Sequence, residues 1–289
     1  MPSLLPLTPP SALDYFATLV ADDDGFALLE ATIAVAQDEY PQLDVQAVLA
    51  EVDALGLKLA QRIAADAPPV QRLRLLNRYF FEELGFSGNV NDYYDRRNSY
   101  LNDVIERRRG IPITLALLYL ELAQHAGLQA RGVAFPGHFL VKLKLPRGEV
   151  VIDPFNGRSL SREELSERLQ PFQRRQGLAP EDEPPLGLYL QAAPARDVLA
   201  RVLRNLKEIH RSAQDWPRAL AVQERLVRLL PEAWEERRDR ALVCFELGRH
   251  AAAVADLQAY LAHLPRAADA SAMRQHLARW REQGPPPLH

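Results

Sequence analysis

An apolar stretch between residues 112 and 126 constrains the fold of this chain more than any other feature of its sequence. It opens at Pro112, and proline is favoured in the first turn of a helix because that position needs no N–H donor. It closes before Gly127, a residue typical of helix C-termini. Because the predicted helix is apolar on nearly every face, we expect it to lie at the centre of a domain.

Short strands are predicted directly after this helix, over residues 130–135, 138–145 and 149–152. Pro146, Arg147 and Gly148 predict a hairpin between the last two strands. Ser161 precedes Glu164 by three residues, the spacing of a capping box, and predicts a further helix. A buried helix followed by a small antiparallel sheet indicates an α+β domain.

The C-terminal part of the chain contains an internal repeat. Leu230 and Pro231 recur as Leu264 and Pro265, a separation of 34 residues, and Ala219 and Ala253 keep the same separation. A helix-turn-helix period of 34 residues with a closing proline resembles the tetratricopeptide repeat (TPR). An ordinary helical bundle is the alternative. The resemblance implies a protein or peptide partner for this tail.

Residues 98–157 resemble a transglutaminase-like core. The resemblance rests on Gly110-Ile111-Pro112, Pro136-Gly137-His138-Phe139 and Asp153-Pro154-Phe155-Asn156-Gly157. In that superfamily a cysteine starts the core helix, a histidine begins one strand and an aspartate ends the next. A helix N-terminus and an imidazole both favour the thiolate, and the carboxylate orients the imidazole. The resemblance therefore implies catalytic positions at His138 and Asp153.

From about Arg72 to its end, the chain resembles a bacterial family that joins a transglutaminase-like domain to TPR-type helices. The resemblance implies an α+β fold with a helical N-terminal lobe, a transglutaminase-like (papain-like) core with a small antiparallel sheet, and an all-α TPR-like C-terminal domain. The expected bounds are 1–70 for the lobe, 71–170 for the core, 171–196 for a proline-rich linker and 197–289 for the repeats.

The position of the nucleophile departs from the superfamily pattern, because Pro112 stands where active members carry cysteine. The one cysteine of the chain, Cys244, falls in the repeat region, where we expect it to be buried and inert. Thr114 lies about 200° around the helix from position 112, and we expect its hydroxyl to bond a backbone carbonyl. The sequence thus predicts a residual pair of His138 and Asp153 without a thiol.

Two interpretations of this pair stay open. His138 and Asp153 are compatible with a general base that activates water. They are equally compatible with a structural histidine that ties two strands together and a turn aspartate bonded to backbone. The resemblance to the bacterial family also rests on Asn98-Ser99-Tyr100-Leu101-Asn102 and Arg107-Arg108-Arg109-Gly110-Ile111-Pro112-Ile113. Asn98 and Arg109 of these motifs, with Asn156, are candidate ligand-binding residues.

The arginine run at residues 107–109 also has two interpretations. It is either a solvated helix end favoured by the helix dipole or an anion clamp at the mouth of a pocket. The solvated helix end is the simpler interpretation.

Other functional classes are disfavoured by composition. A net charge of −3 gives no general field for nucleic acid or an anionic membrane. His125 and the other histidines outside the motif show no metal-ligand spacing, so we expect no metal and no cofactor. No apolar segment has the length of a membrane span, and residues 1–6 lack the pattern of a signal peptide, so we expect a soluble cytoplasmic protein. The oligomeric state stays open.

The function that we predict is a non-catalytic one. The transglutaminase-like core would serve as a scaffold, and the TPR-like tail would bind a partner in protein–protein interaction or regulation. The alternative is a cysteine-independent hydrolase or acyl-transfer enzyme that uses His138 and Asp153.

Overall fold

The computed structural model of the chain describes residues 10–22, 25–176 and 184–283. The helices in chain order are α1 (Ala12–Leu19), α2 (Leu28–Ala34), α3 (Val45–Ala60), α4 (Pro69–Asn77), α5 (Leu101–Arg107), α6 (Pro112–His125), α7 (Arg162–Gln176), α8 (Leu186–Tyr189), α9 (Ala195–Ser212), α10 (Trp216–Leu229), α11 (Trp234–Glu246), α12 (His250–His263) and α13 (Ala270–Gln283). The strands are β1 (Ser87–Gly88), β2 (Arg109–Gly110), β3 (Gln129–Val133), β4 (Leu140–Leu145), β5 (Gly148–Asp153) and β6 (Arg158–Leu160). Short 3₁₀ segments cover Val35–Asp38 and Arg96–Asn98, and a π-helical segment covers Arg78–Glu83.

The described residues divide into two compact units. The core unit comprises Leu28–Ala36 and Gln42–Val202. The repeat unit comprises the described parts of Met1–Ala27, Gln37–Pro41 and Leu203–His289. These bounds differ from the domains expected from the sequence. The expected lobe at residues 1–70 does not form one body, because α1 packs against α10 in the repeat unit.

In the core unit, α6 is buried along nearly its whole length, as its apolar sequence predicts. It contacts α3 and the strands β3 and β4. The strands β3, β4, β5 and β6 form an antiparallel sheet in that order. Alternate residues of β4 and β5 face opposite sides. Leu140 and Val151 pack with Leu165 and Leu169 of α7, while Val141 and its partner Ile152 are buried on the other face.

The start of α7 agrees with the capping box expected from the sequence. The Ser161 hydroxyl accepts the Glu164 N–H at 3.2 Å, and the Glu164 carboxylate accepts the Ser161 N–H at 2.8 Å. The proline-rich linker expected at residues 171–196 is helical at its start, because α7 continues through Pro171 to Gln176. Residues 177–183 of that expected linker lie outside the described part of the chain.

In the repeat unit, the helices α10 to α13 pack one against the next. Helix α12 starts and ends 34 residues after α10, and the closing residues Leu230 and Leu264 share nearly the same backbone conformation. Ala219 and Ala253, the small residues of the repeat, are buried between helices. The 34-residue period in the sequence is therefore a period of the structure. None of the described helices combines the length and apolar composition that crossing a bilayer requires.

Candidate functional site

The strand register of the sheet brings His138 and Asp153 together. Val141 of β4 pairs with Ile152 of β5, so the start of one strand lies beside the end of the other. His138 precedes β4 by two residues, in a tight turn in which its N–H donates to the Phe135 carbonyl at 3.0 Å. Asp153 is the last residue of β5. The His138 Nε2 and the Asp153 Oδ1 lie 2.8 Å apart.

The Asp153 carboxylate has hydrogen-bond partners on both of its oxygens. Besides the His138 ring, Oδ1 accepts the backbone N–H of Phe155 at 3.0 Å. The other oxygen, Oδ2, accepts a guanidinium N–H of Arg168 from α7 at 3.1 Å. The residue is only 3% exposed, whereas the His138 side chain is 24% exposed. The carboxylate is thus fixed and buried, and the ring it holds reaches solvent.

Asp153 is ionised at neutral pH in this setting. Burial by itself raises its pKa, but the hydrogen bond and charge of His138, the Phe155 N–H and Arg168 together hold that pKa below its ordinary value. An ionised carboxylate only accepts hydrogen bonds, so His138 donates from Nε2. In the neutral ring Nδ1 is then the basic nitrogen. The pair therefore has the arrangement of an oriented general base.

Pro112 is the first residue of α6 and is buried. Two residues on, the Thr114 hydroxyl donates to the Asn98 carbonyl at 2.8 Å and accepts the Ile111 N–H at 3.2 Å. The Thr114 side chain thus caps the start of α6 and hydrogen-bonds it to the preceding loop. The expectation that its hydroxyl bonds a backbone carbonyl is confirmed.

Main-chain contacts through Gly88 connect the Asp153 turn to the start of α6. The Gly88 N–H donates to the Phe155 carbonyl at 2.8 Å, and Gly88 pairs with Gly110 in the parallel ladder of β1 and β2. A Cβ at Gly88 would overlap the Phe155 ring, so only glycine fits there.

Asn98, a candidate ligand-binding residue, is fully buried and organises the loop before α5. Its amide NH₂ donates to the carbonyls of Asp92 at 2.7 Å and Tyr93 at 3.2 Å. Its Oδ1 accepts the Asn89 amide at 3.0 Å. The structure places Asn98 as a loop anchor beside the start of α6.

Arg109 and its neighbours bond within the chain. The Arg109 guanidinium donates to the carbonyl of Gly85 at 2.8 Å, which secures β1 beside β2. Arg107 pairs with Asp95 at 3.1 Å, and the Arg108 guanidinium lies over the Phe86 ring. These contacts give the arginine run a structural role at the end of α5.

Asn156, the third candidate ligand-binding residue, is exposed in the turn between β5 and β6. Its side-chain oxygen accepts the Arg158 N–H at 3.0 Å, which stabilises the turn that follows Asp153. The structure thus places Asn98 and Arg109 in segments next to the start of α6, and Asn156 in the turn that follows Asp153.

The thiol of Cys244 lies in α11 of the repeat unit, among the buried residues of its core. Burial raises the pKa of this thiol. A protonated and buried thiol is a poor nucleophile. Cys244 is therefore not a candidate nucleophile.

A second cluster of titratable residues lies elsewhere in the core unit. Asp53, Glu121 and His125 each offer one donor atom, and the three atoms lie within 4.8 Å of one another. The interpretation that His125 has no carboxylate at ligand spacing is wrong, because Glu121 precedes it by one helical turn on α6. The sequence signal was the four-residue spacing of Glu121 and His125. The third member, on α3, is distant in sequence.

Two family models match the chain, and the boundary between them lies close to the boundary between the core unit and the repeat unit at residues 202–203. A family model described as the transglutaminase-like superfamily matches residues 46–204. A second family model, described as the tetratricopeptide repeat, matches residues 206–278. No solved structure matches the chain.

Curated relatives cover most of the chain. A UPF0162 protein of Xylella fastidiosa (strain Temecula1) is 40% identical over 261 residues, which is 89% of this chain and 90% of the relative. A UPF0162 protein of Vibrio cholerae is 28% identical over 246 residues, 84% of this chain and 88% of the relative. The mouse F-box only protein 21 is 43% identical over 72 residues, which is 25% of this chain and 12% of that protein. With a transglutaminase-like region followed by a TPR region, and with bacterial relatives along most of its length, the chain belongs to the UPF0162 family.

Proposed function

We propose that this protein acts in protein–protein interaction or regulation, with a transglutaminase-like core that has no catalytic thiol and a TPR region that binds a protein or peptide partner. The observation that carries the proposal is the position of Pro112. Pro112 opens the buried helix α6. The resemblance to the superfamily implies that active members carry their nucleophile at this position, and proline has no nucleophilic side chain.

The contacts around the site support a scaffold role. Asn98, Thr114 and Arg109 each form hydrogen bonds with other groups of the chain. Asp153 likewise uses both oxygens on groups of the core unit. Buried polar groups that have hydrogen-bond partners, as Asn98, Thr114 and Asp153 do, help to specify one conformation. In this proposal the network preserves the shape of the core without turnover.

A groove in the repeat unit supports the interaction role. It has a volume of about 610 Å³ and lies between α9, α10 and α11. Its apolar part includes Trp216, Leu242 and Val243. Its charged rim consists of Lys207, Glu208, Arg211, Asp239 and Glu246. An apolar floor with a rim of both signs suits a polypeptide that carries an apolar anchor and flanking charges.

A charge placed in this groove is expected to abolish partner capture. We expect the intact protein to retain a partner from lysate of its own bacterium after cross-linking. We expect the Leu242→Arg variant to retain at least about tenfold less, since a long charged side chain would replace part of the apolar contact surface. The measurement is quantitative mass spectrometry of the captured proteins.

The matched control is Leu188→Arg, which makes the same substitution at a leucine that is 54% exposed on α8 in the core unit. This variant is expected to capture the partner as the wild type does. Circular dichroism of both variants checks that their helices remain folded. Equal capture by all three proteins would contradict a role for the groove.

The alternative function is a cysteine-independent hydrolase or acyl-transfer enzyme. The observation in its favour is the 2.8 Å contact between His138 Nε2 and Asp153, which orients the ring as a general base. Such a base could activate water toward an amide or ester. Asp153 has a structural role in the proposed function and orients a general base in the alternative. Substitution of Asp153 therefore distinguishes the two functions.

Replacing Asp153 with asparagine is expected to lower the free energy of unfolding at pH 7 by about 1–3 kcal/mol. The amide still accepts the Phe155 N–H but no longer offers charge to His138 and Arg168. The folded-state pKa of Asp153 is below its unfolded value, so the stabilisation is present above about pH 4 and is lost as pH falls through the folded pKa. The difference between wild type and variant is therefore expected to narrow below about pH 4 in urea unfolding.

The matched control for stability is Asp66→Asn, at an exposed aspartate, with an expected change within about 0.5 kcal/mol. The same proteins are assayed for hydrolysis and transamidation of a broad panel of amides and esters. Under the proposed function no turnover is expected from the wild type. Turnover that disappears in a folded His138→Ala variant would establish the alternative.

A further inference from the structure

We propose that Asp53, Glu121 and His125 form a binding site for one divalent transition-metal ion of the zinc type, held between α3 and α6. One carboxylate oxygen from each acid and one ring nitrogen of His125 lie within 4.8 Å of one another. The site lies in the core unit but shares no residue with the His138–Asp153 pair. It is independent of the proposed function.

Two packed helices position the three donors. Glu121 and His125 are four residues apart on α6, so their side chains are neighbours on the same face of that helix. Helix α3 packs against α6 and supplies Asp53. Donors on rigid helices keep a more defined geometry than donors on loops.

The spacing of the donors suits a metal better than a hydrogen bond. The His125 Nε2 and the Asp53 Oδ1 are 3.5 Å apart, beyond the roughly 3.2 Å limit of a good N–H···O bond. Zinc binds imidazole nitrogen and carboxylate oxygen at about 2.0–2.2 Å, which places two tetrahedral ligands about 3.3 Å apart. The observed distance is close to that value.

The backbone of α3 leaves a space for the His125 ring at Gly56. A Cβ at this position would overlap three atoms of the ring, including Nε2. Glycine destabilises a helix interior relative to alanine, yet here it allows the ring to lie directly on the neighbouring helix. Because Gly56 follows Asp53 by three residues, this contact also holds Nε2 near the Asp53 carboxylate.

The donor types indicate which ions fit. Calcium and magnesium prefer oxygen ligands alone, whereas imidazole suits zinc and the other first-row transition metals. Two carboxylates also supply the negative charge that a divalent cation neutralises. Three protein ligands leave a fourth position of a tetrahedral ion to water. Asp53 is 60% exposed on its side chain, so an ion can reach the site from solvent.

The test is calorimetric titration of the full chain with Zn²⁺ after treatment with a chelator. We expect one ion per chain in the wild type. We expect an affinity at least about tenfold weaker in the Asp53→Asn and His125→Gln variants, because each removes one ligand. The matched controls are Asp66→Asn and His276→Gln, which change an exposed aspartate and another helical histidine and are expected to bind zinc as the wild type does.

The Gly56→Ala variant tests the site without removing a donor. Its added Cβ displaces the His125 ring, so zinc affinity is expected to fall by at least about tenfold. Asp53→Asn changes an exposed side chain and keeps the proposal testable if His125→Gln or Gly56→Ala fails to fold. Zinc affinity in folded Asp53→Asn equal to that of the wild type would overturn the proposal. So would displacement of zinc by an equal concentration of Mg²⁺.

Discussion

A cysteine introduced at Pro112 is expected to titrate at or below about pH 7.5, at least one unit under the ordinary thiol value of about 8.5. The helix N-terminus stabilises a thiolate, and in the proposed arrangement the His138 ring does the same. The substitution is structurally mild because the first helical residue needs no intrahelical N–H partner. The measurement is the pH dependence of alkylation rate in the Pro112→Cys protein.

This experiment is made in a Cys244→Ser background, so that the new thiol is the only one in the chain. Adding His138→Ala is expected to move the midpoint back toward about 8.5, since the ring no longer stabilises the thiolate. A folded Pro112→Cys protein whose thiol titrates at 8.5 or above would show that Pro112 does not occupy the nucleophile position. The proposed function would then lose the observation that carries it.

The Phe80→Ala variant is expected to lose about 3–5 kcal/mol of unfolding free energy. Phe80 is fully buried, its ring stacks on Phe86 with centroids 4.6 Å apart, and it meets the Tyr119 ring edge-on at 5.3 Å. Removing the ring leaves a cavity between the π-helical segment and α6. Phe86 directly precedes β1, so the loss is expected to loosen the strand that contains Gly88.

Hydrogen exchange followed by mass spectrometry suits this prediction, because it reports stability separately for each peptide of a chain with two units. Faster exchange is expected in β1 and α6 of the variant. The matched control is Phe172→Ala, at a half-buried phenylalanine of α7, with an expected loss less than half as large. Unchanged exchange at Gly88 would show that Phe80 does not support β1.

Much of the candidate site follows from local sequence patterns. The apolar run predicts α6, and the hairpin at residues 146–148 predicts the pairing of β4 with β5. In an antiparallel hairpin the start of one strand faces the end of the next. The proximity of His138 and Asp153 is therefore implied by the turn between their strands, before any contact is seen.

The contacts that frame the site are less visible in the sequence. Strands β1 and β2 have two residues each, too few for an alternating pattern. Their pairing depends on the fit of Gly88 against Phe155. The roles of Asn98 and Arg109 likewise follow from loop carbonyls that come close only after folding.

The bounds of the two units could not be predicted from the sequence, because they depend on which distant helices pack together. An amphipathic pattern shows that α1 buries one face, but it does not show that the face packs on α10. The burial of Arg225 in the same unit could not be predicted from the sequence either. Arg225 pairs with Asp38 and lies over the Phe16 ring. Proline density suggested a linker from residue 171, yet α7 continues through Pro171 to Gln176.

The main-chain bridge at Gly88 has a consequence for how such a protein can change over evolutionary time. Backbone atoms, which every amino acid carries, make the hydrogen bonds between the Asp153 turn, β1 and β2. The side chain at position 112 makes none of these bonds. A lineage could exchange the reactive residue at that position for another and keep the same frame. Loss or recovery of chemistry would then require few substitutions, while the glycine of the bridge would tolerate almost none.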